Sequence, residues 1–310
     1  MPSIRQLEYL VALADTLHFR RAAERCNTTQ PTLSEQIKAL EDRLGAQLVE
    51  RNRTGILLTP IGSAATEIAR RILRDVNELR TITATGDAAL KGVLRLGLPS
   101  TIGPYLLPLV VPTLHRTYPD LKLYVREELP QTLPRTLEDG GHDMIITPLP
   151  LRADDLHIVE LFREPLFLTV GADHPLAGKD RIERADLEGQ EVLTLGAAHQ
   201  LHGVVLALCQ EYGAQVRLDY EGTSLDMVRE MVITGLGITF MPGLYVRREL
   251  KDDTSLRVMQ LRGRAVYRTI GVAWRKSSGR HKSFEVLTDL FRSALLAEVG
   301  GLSASDFVNR

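Results

Sequence analysis

The segment Phe19-Arg-Arg-Ala-Ala-Glu-Arg-Cys26-Asn-Thr-Thr-Gln-Pro31-Thr-Leu-Ser-Glu-Gln-Ile-Lys-Ala-Leu-Glu41 constrains this chain more than any other. Two short amphipathic runs flank an Asn27-Thr28-Thr29 turn, and another apolar-periodic run (Leu7, Leu10, Val11, Leu13, Ala14) precedes them. Phe19, Ala22 and Ala23 carry the apolar side of the second run, where small alanines allow close helix approach. Thr29 is placed to cap the third helix, and Pro31 is tolerated in its first turn because that position needs no intrahelical donor. Leu33, Ile37, Leu40 and Leu44 form its apolar stripe, and Gly45 ends it. Three helices in this order are the grammar of a helix-turn-helix.

The opposite face of the third helix presents Gln30, Pro31, Thr32, Ser34, Glu35 and Lys38. Glutamine addresses adenine edges, and serine and threonine adapt to bases or phosphates, so this face suits a major groove of double-stranded DNA. Leu48 to Leu58 reads as a short hairpin, a wing, with Arg51 and Arg53 at its turn for phosphate or minor-groove contact. Any one of these polar residues alone equally fits plain solvated surface; the set points to an operator. From Ile61 to about Thr83 one long helix carries Ile68, Ile72, Val76, Leu79 and Ile82 at three- or four-residue steps. That stripe suits pairing with the same helix of a second subunit, or packing on its own domain. The first alternative implies a dimer or tetramer reading two half-sites.

The 310 residues hold one small module and one or two medium domains. A net charge of -1 makes the molecule no polycation, so DNA contact rests on local placement of Arg and Lys. Two cysteines, Cys26 and Cys209, describe neither a secreted disulfide scaffold nor a metal cluster. The start lacks an apolar signal core and no long uncharged apolar run follows, so a cytoplasmic protein without a membrane segment is expected. There is no GxSxG elbow, P-loop or HExxH, and Gly235-Leu-Gly is too short for a dinucleotide fingerprint. An enzyme or a cofactor is therefore not expected.

Beyond a small-residue joint at Gly86 to Gly92, strands and helices alternate. Strands are expected at Val93–Leu98, Leu121–Val125, Met144–Thr147, Leu166–Val170, Glu191–Leu195, near Leu218, within 235–242 and at Tyr267–Trp274. Helices are expected at Pro104–Tyr118, Leu133–Asp139, Leu201–Tyr212, Leu225–Thr234 and Phe284–Leu296. This alternation argues an α/β fold with a mostly parallel sheet in two lobes, the last strand and helix returning to the first. The domains are then 1–60 (winged helix-turn-helix), 61–90 (linker helix) and 91–310 (effector region). Lobe I spans about 91–163 and 268–300, and lobe II about 164–267.

A cleft between such lobes suits a small effector at strand ends and helix starts. Pro99, Ser100 and Thr101 lie at a strand-to-helix junction and Thr147 ends another strand. Their hydroxyls and neighbouring N–H groups can hold a carboxylate, a peroxide or water, or Ser100 simply caps its helix. His199 and His202 are three apart around a helix start and face the cleft or act as cap and surface residues. No Cys, Asp or Glu completes a metal set there. Cys209 lies in the apolar stretch Val204-Val-Leu-Ala-Leu-Cys209, where a thiol is usually buried and inert. Cys26 likewise reads as core of the first module.

Phe19 to Leu48, with Ala22-Ala23, Gln30-Pro31, Ser34, Ile37, Leu40-Glu41 and Leu44-Gly45, then Arg51, Thr59 and Gly62, closely resembles the LysR-type transcriptional regulators. The resemblance covers essentially the whole chain. It implies a winged helix-turn-helix, a linker helix and a two-lobed α/β effector domain like a periplasmic binding protein. The effector half resembles the peroxide-responsive activators of that family, through Gly97 to Pro108, Glu160 to Pro165, Ala185 to Gly189, Thr223 to Val232 and Gly235 to Pro242. In those activators a peroxide-reacting cysteine follows a histidine and pairs with a second one. Here the matching His199 is followed by Gln200, and of that pair only Cys209 remains. An amide cannot become a sulfenic acid or a disulfide. Leu129 stands where the activators commonly place a threonine. The expectation is non-covalent binding of a small effector, such as an organic acid or oxyanion, at Pro99, Ser100, Thr101, Leu129, Thr147, His199, Gln200 and His202. An atypical redox response through Cys209 or Cys26 is the alternative.

Overall fold

The structure is a computed structural model that describes residues 2–52, 55–84, 90–262 and 265–299. The chain divides into two compact units, one built on Met1–Ala88 and a larger one on Ala89–Glu138 with His142–Arg310.

In the first unit α1 (Ile4–Thr16) opens on a capping box: Ser3 Oγ accepts from Gln6 N–H, and the Gln6 side chain accepts from Ser3 N–H. α2 (Phe19–Arg25) and α3 (Gln30–Leu44) follow, with Thr29 Oγ1 accepting from Thr32 N–H and Gly45 closing α3 at φ 66°. Leu10, Leu13, Ala22, Ala23, Leu33, Ile37 and Leu40 bury the predicted stripes in one core. Leu44 departs from its expectation. It is 45% exposed, because it is the last helical residue before the left-handed Gly45.

The wing is the antiparallel pair β1 (Val49–Asn52) and β2 (Gly55–Leu58), in register Val49 to Leu58. Glu41 fixes it to α3, its Oε1 accepting from Leu48 N–H at 2.8 Å and Val49 N–H at 3.0 Å. α4 (Pro60–Ala84) starts at Thr59, whose Oγ1 donates to Gln47 O and accepts from Gly62 N–H. Gly62 lies so near β1 that a Cβ would stand 1.9 Å from Leu48 O. Ile68 and Ile72 of α4 are exposed, 49% and 37%, while Ala69 turns into the core and Leu73 packs against it. The side chains of Leu79 and Ile82 lie outside the described residues.

The second unit is built on one mixed sheet. Its elements are β3 (Gly92–Leu98), α5 (Gly103–Thr117), β4 (Leu121–Glu127), α6 (Leu133–Glu138), β5 (Met144–Pro148) and β6 (Leu156–Gly171). Then come α7 (Arg184–Leu187), β7 (Glu191–Leu193), α8 (Gln200–Tyr212), β8 (Gln215–Val216), α9 (Leu225–Ile233) and β9 (Ile238–Pro242). α10 (Gly243–Glu249), β10 (Leu256–Met259), β11 (Val266–Arg275) and α11 (His281–Val299) complete it. The strand order is β4-β3-β5-β11-β6-β9-β7-β8, with β10 also on β6.

The mostly parallel expectation needs correction. β4-β3-β5 and β9-β7-β8 are parallel trios, but β11 and β6 between them pair antiparallel with each other and with their outer neighbours. β6 and β11 are long enough to run through both halves, which produces the two lobes and the two crossovers. β6 begins at Leu156 rather than Leu166, since Pro165 is accommodated opposite Tyr267 inside the strand. Leu218 is not a strand residue but 93% exposed, the strand there being only Gln215–Val216. β7 ends at Leu193, and Leu195 instead makes a lone bridge to Gly222. α10 and β10 were not foreseen.

Candidate functional site

On the first unit, Gln30, Pro31, Thr32, Glu35 and Lys38 stand exposed along α3 and Ser34 is half-buried. Gln30, Pro31, Ser34, Glu35 and Lys38, with Glu41, line one open concave surface. Thr32 Oγ1 lies 2.8 Å from the capping Thr29 Oγ1, so this hydroxyl also serves the helix start. Arg51 is on β1 with its side chain undescribed, and Arg53 lies outside the described residues. Several other arginines of this unit are already committed: Arg20 to Glu24, Arg25 and Arg70 to Asp15, and Arg5 to Glu8 and to the Cys26 carbonyl. Cys26 is half-buried, and burial pushes its thiol above the ordinary range.

In the second unit the expected effector residues all lie at carboxyl ends of parallel strands. Pro99, Ser100 and Thr101 follow β3, Leu129 follows β4, and Thr147 is near the end of β5. His199, Gln200 and His202 follow β7 around the start of α8. Ser100 is not a helix cap: Ile102 occupies the cap of α5 without a side-chain bond, and Pro99 O accepts from Ile102 and Gly103 N–H. Leu129 is 39% exposed.

Thr101 is buried and engaged by a residue that sequence reasoning missed. Its carbonyl accepts from Arg268 Nη2 at 2.9 Å, and Arg268 Nη1 reaches its Oγ1 at 3.4 Å. Arg268 Nε donates to Glu164 Oε2 at 2.6 Å, and Glu164 Oε1 accepts from Leu244 N–H at 2.9 Å. Both charges are buried, and they face each other in register across β11 and β6. The pair sits where those strands pass between the lobes. It holds the turn after β3 from one lobe and the start of α10 from the other. A buried pair this well bonded contributes little net stability, yet losing one partner costs about 3–5 kcal/mol. Two charged residues inside apolar strand patterns were the available signal.

The start of α8 is different. His199 caps the helix with no side-chain bond, and its Nδ1 is buried without a protein partner. Burial lowers the pKa of this imidazole, so it is neutral at neutral pH. Gln200 Oε1, the Thr194 hydroxyl and the Tyr220 hydroxyl are likewise buried and unpartnered. The two turns that carry them are joined: Gly196 N–H donates to Gly222 O, Gly222 N–H to Thr194 O, and Ala197 N–H to Glu221 Oε1. Buried polar atoms in folded proteins are almost always bonded, to protein or to ordered water, and these four on two joined turns have no protein partner. His202 is already used, its Nδ1 donating to Leu195 O at 2.8 Å. No cation on these turns is uncommitted, since Arg217 is held by Asp219 and Glu191. Thr194 and Tyr220 were not foreseen, because neither belongs to a motif.

Cys209 lies deeper in α8, buried, and desolvation pushes its thiol up to about 11. Thiolate is the reactive form, so a thiol raised this far is poorly placed to react at neutral pH.

A winged helix-turn-helix followed by a two-lobed α/β domain is the architecture of a DNA-binding regulator. Residues 4–63 match the model of the bacterial regulatory helix-turn-helix protein, lysR family, and residues 87–296 match the LysR substrate binding domain. The chain belongs to the LysR family of transcription regulators. It is 39% identical over 293 residues to the hydrogen peroxide-inducible genes activator of Escherichia coli O6:H1, covering 94% of this chain and 96% of that one. A full-length OxyR cysteine-to-aspartate mutant from Pseudomonas aeruginosa superposes with a TM-score of 0.77 at 35% identity, over 94% of this chain and 98% of that one. A cysteine-to-serine mutant of Corynebacterium glutamicum OxyR with H2O2 bound gives 0.68 at 29% identity, over 100% and 99%. The effector domain is therefore OxyR-like. Among the described residues no helix is long and apolar enough to cross a membrane.

Proposed function

We propose that this regulator senses its signal by reversible, non-covalent binding at the joined turns of Thr194, His199, Gln200 and Tyr220, and passes it to an operator-bound α3. The observation that carries this reading is the contrast inside one helix. α8 begins with unmet polar atoms, while the lone cysteine of its domain, Cys209, is buried with its thiol pushed up to about 11. A peroxide-type switch needs a thiolate and, for an internal disulfide, a second cysteine in the same domain. The chain's other cysteine, Cys26, belongs to the first unit. With no uncommitted cation on the turns, the guest is a small neutral hydroxyl-bearing molecule, hydrogen peroxide included, in preference to an organic acid or oxyanion.

Gln30, Thr32, Ser34, Glu35 and Lys38 read the groove, with Arg51 and Arg53 of the wing on the backbone. The exposed Ile68 and Ile72 of α4 pair with a second copy in a dimer or tetramer. Residues 1–60, 61–90 and 91–310 act as DNA-binding, linker and effector parts. Guest binding biases the lobe arrangement about the Glu164–Arg268 crossover and so the spacing of the DNA-binding pairs.

A second reading, a redox regulator working through Cys209 or Cys26, is favoured by the names of the relatives, which are peroxide activators. The H2O2-bound Corynebacterium glutamicum relative is itself a cysteine-to-serine mutant, which supports peroxide uptake without a thiol at the replaced position of that protein. Operator binding followed by anisotropy separates the two readings. For non-covalent sensing, a peroxide response reverses when catalase removes the oxidant and survives in C26S and C209S. If the response persists until a thiol reductant is added and vanishes in C209S, the redox reading stands and ours falls.

A further inference from the structure

We propose that His157, His281 and Glu285 form a binding site for one late first-row divalent ion, such as zinc, nickel or cobalt, remote in sequence from the effector turns. His157 lies near the start of β6, and His281 and Glu285 open α11 one helical turn apart. One potential ligand atom from each residue lies within 4.8 Å of the other two. The two imidazole rings meet edge to face with centroids 4.6 Å apart, and His281 Nε2 is 3.3 Å from Glu285 Oε1. Two imidazoles and one carboxylate are a ligand set that selects zinc, nickel or cobalt over magnesium or calcium, and it leaves a coordination position for water. His157 and His281 are partly exposed and Glu285 is exposed, so an ion has an open path to all three.

The neighbour of this cluster sets its strength and supplies its reporter. Trp274, the single tryptophan of the chain, is fully buried and donates its Nε1–H to His281 Nδ1 at 2.8 Å. That bond leaves the ring proton on Nε2, facing Glu285. An ion taken at Nε2 displaces this proton to Nδ1, so the Trp274 bond opens as the ion enters. Opening that bond strands a buried N–H and weakens affinity by roughly tenfold or more, which favours an exchangeable site over a structural one. The same bond ties occupancy to the indole, which also stacks near His157 at a centroid distance of 4.7 Å.

The test uses the tag-free full-length protein, stripped with chelator and titrated with CoCl2 while Trp274 emission is read. One equivalent of cobalt should quench it with a micromolar Kd, and ZnCl2 should compete. His157→Gln should weaken binding at least tenfold. Glu285→Gln, which changes only an exposed side chain, should weaken it at least threefold without changing Tm in the absence of metal. Absence of quenching up to 1 mM (on the order of a thousand times the expected Kd) overturns the site. So does cobalt binding that is unchanged in both variants.

Discussion

Two helices of this molecule begin with the same residue type and end up in opposite environments. α3 starts at Gln30 behind Thr29, whose hydroxyl accepts from Thr32 N–H, so the helix start is satisfied by its own turn. α8 starts at Gln200 behind His199, which makes no capping bond, and both side chains keep a buried polar atom unmet. A capped start frees an exposed glutamine to face an outside partner such as a base edge. An uncapped, buried start leaves hydrogen bonds that the chain itself does not complete. The DNA-reading helix and the helix proposed to take up the signal thus differ in whether their starts are satisfied from within the chain.

The effector half also depends on a buried charge pair, whereas the core of the first unit is built from apolar stripes with polar caps at its margins. Arg268→Met should therefore have the largest effect, a loss of about 3–5 kcal/mol in urea unfolding, because it strands the buried Glu164 carboxylate. Replacing both partners with apolar residues of similar volume should recover most of that loss. If the single variant costs no more than a surface substitution, the pair is not the pin between lobes that its geometry describes.

Next in size, Gln30→Ala should reduce discrimination between operator and mismatched DNA by about 1–3 kcal/mol, with thermal stability unchanged. Thr29→Ala should cost about 1 kcal/mol of stability in the first unit through loss of its cap. At the other helix start the sign reverses. Gln200→Leu should leave operator affinity intact, abolish the signal response and raise stability by about 1 kcal/mol, since a buried unpartnered carbonyl is removed. A destabilised Gln200→Leu protein would mean that this amide has a partner within the fold.

The smallest expected effect is a pH dependence confined to the effector half. Burial lowers the pKa of His142, and more weakly neighboured His199 shifts the same way. The folded state then binds fewer protons than the unfolded chain, so stability is full above the unfolded value of about 6.5 and declines as pH falls below it. Each group contributes at most about 1.4 kcal/mol per pH unit. Thermal melts of His142→Gln between neutral and mildly acidic pH should be flatter than those of the parent protein. An unchanged slope would remove His142 from the set.

Much of this was legible in the sequence because it is written within a few residues. Apolar steps of three and four, Thr29 before Gln30, Pro31 in a first turn and Gly45 at a helix end specify the first unit locally, and the structure follows them with Leu44 as the exception. The identity of position 200 and the presence of two cysteines also need no coordinates. Tertiary structure alone decided the rest. Pro165 reads as a strand boundary, yet it lies inside β6 because its neighbour β11 accommodates it. Glu164 and Arg268, distant along the chain, become a buried pair only when β6 and β11 align in register. Thr194 and Tyr220 look like ordinary hydroxyl residues until the bridge between Leu195 and Gly222 joins their turns. Local signals encode which elements form. Whether a polar atom is buried, paired or left wanting depends on what distant segments bring to it, and no window of sequence contains that sum.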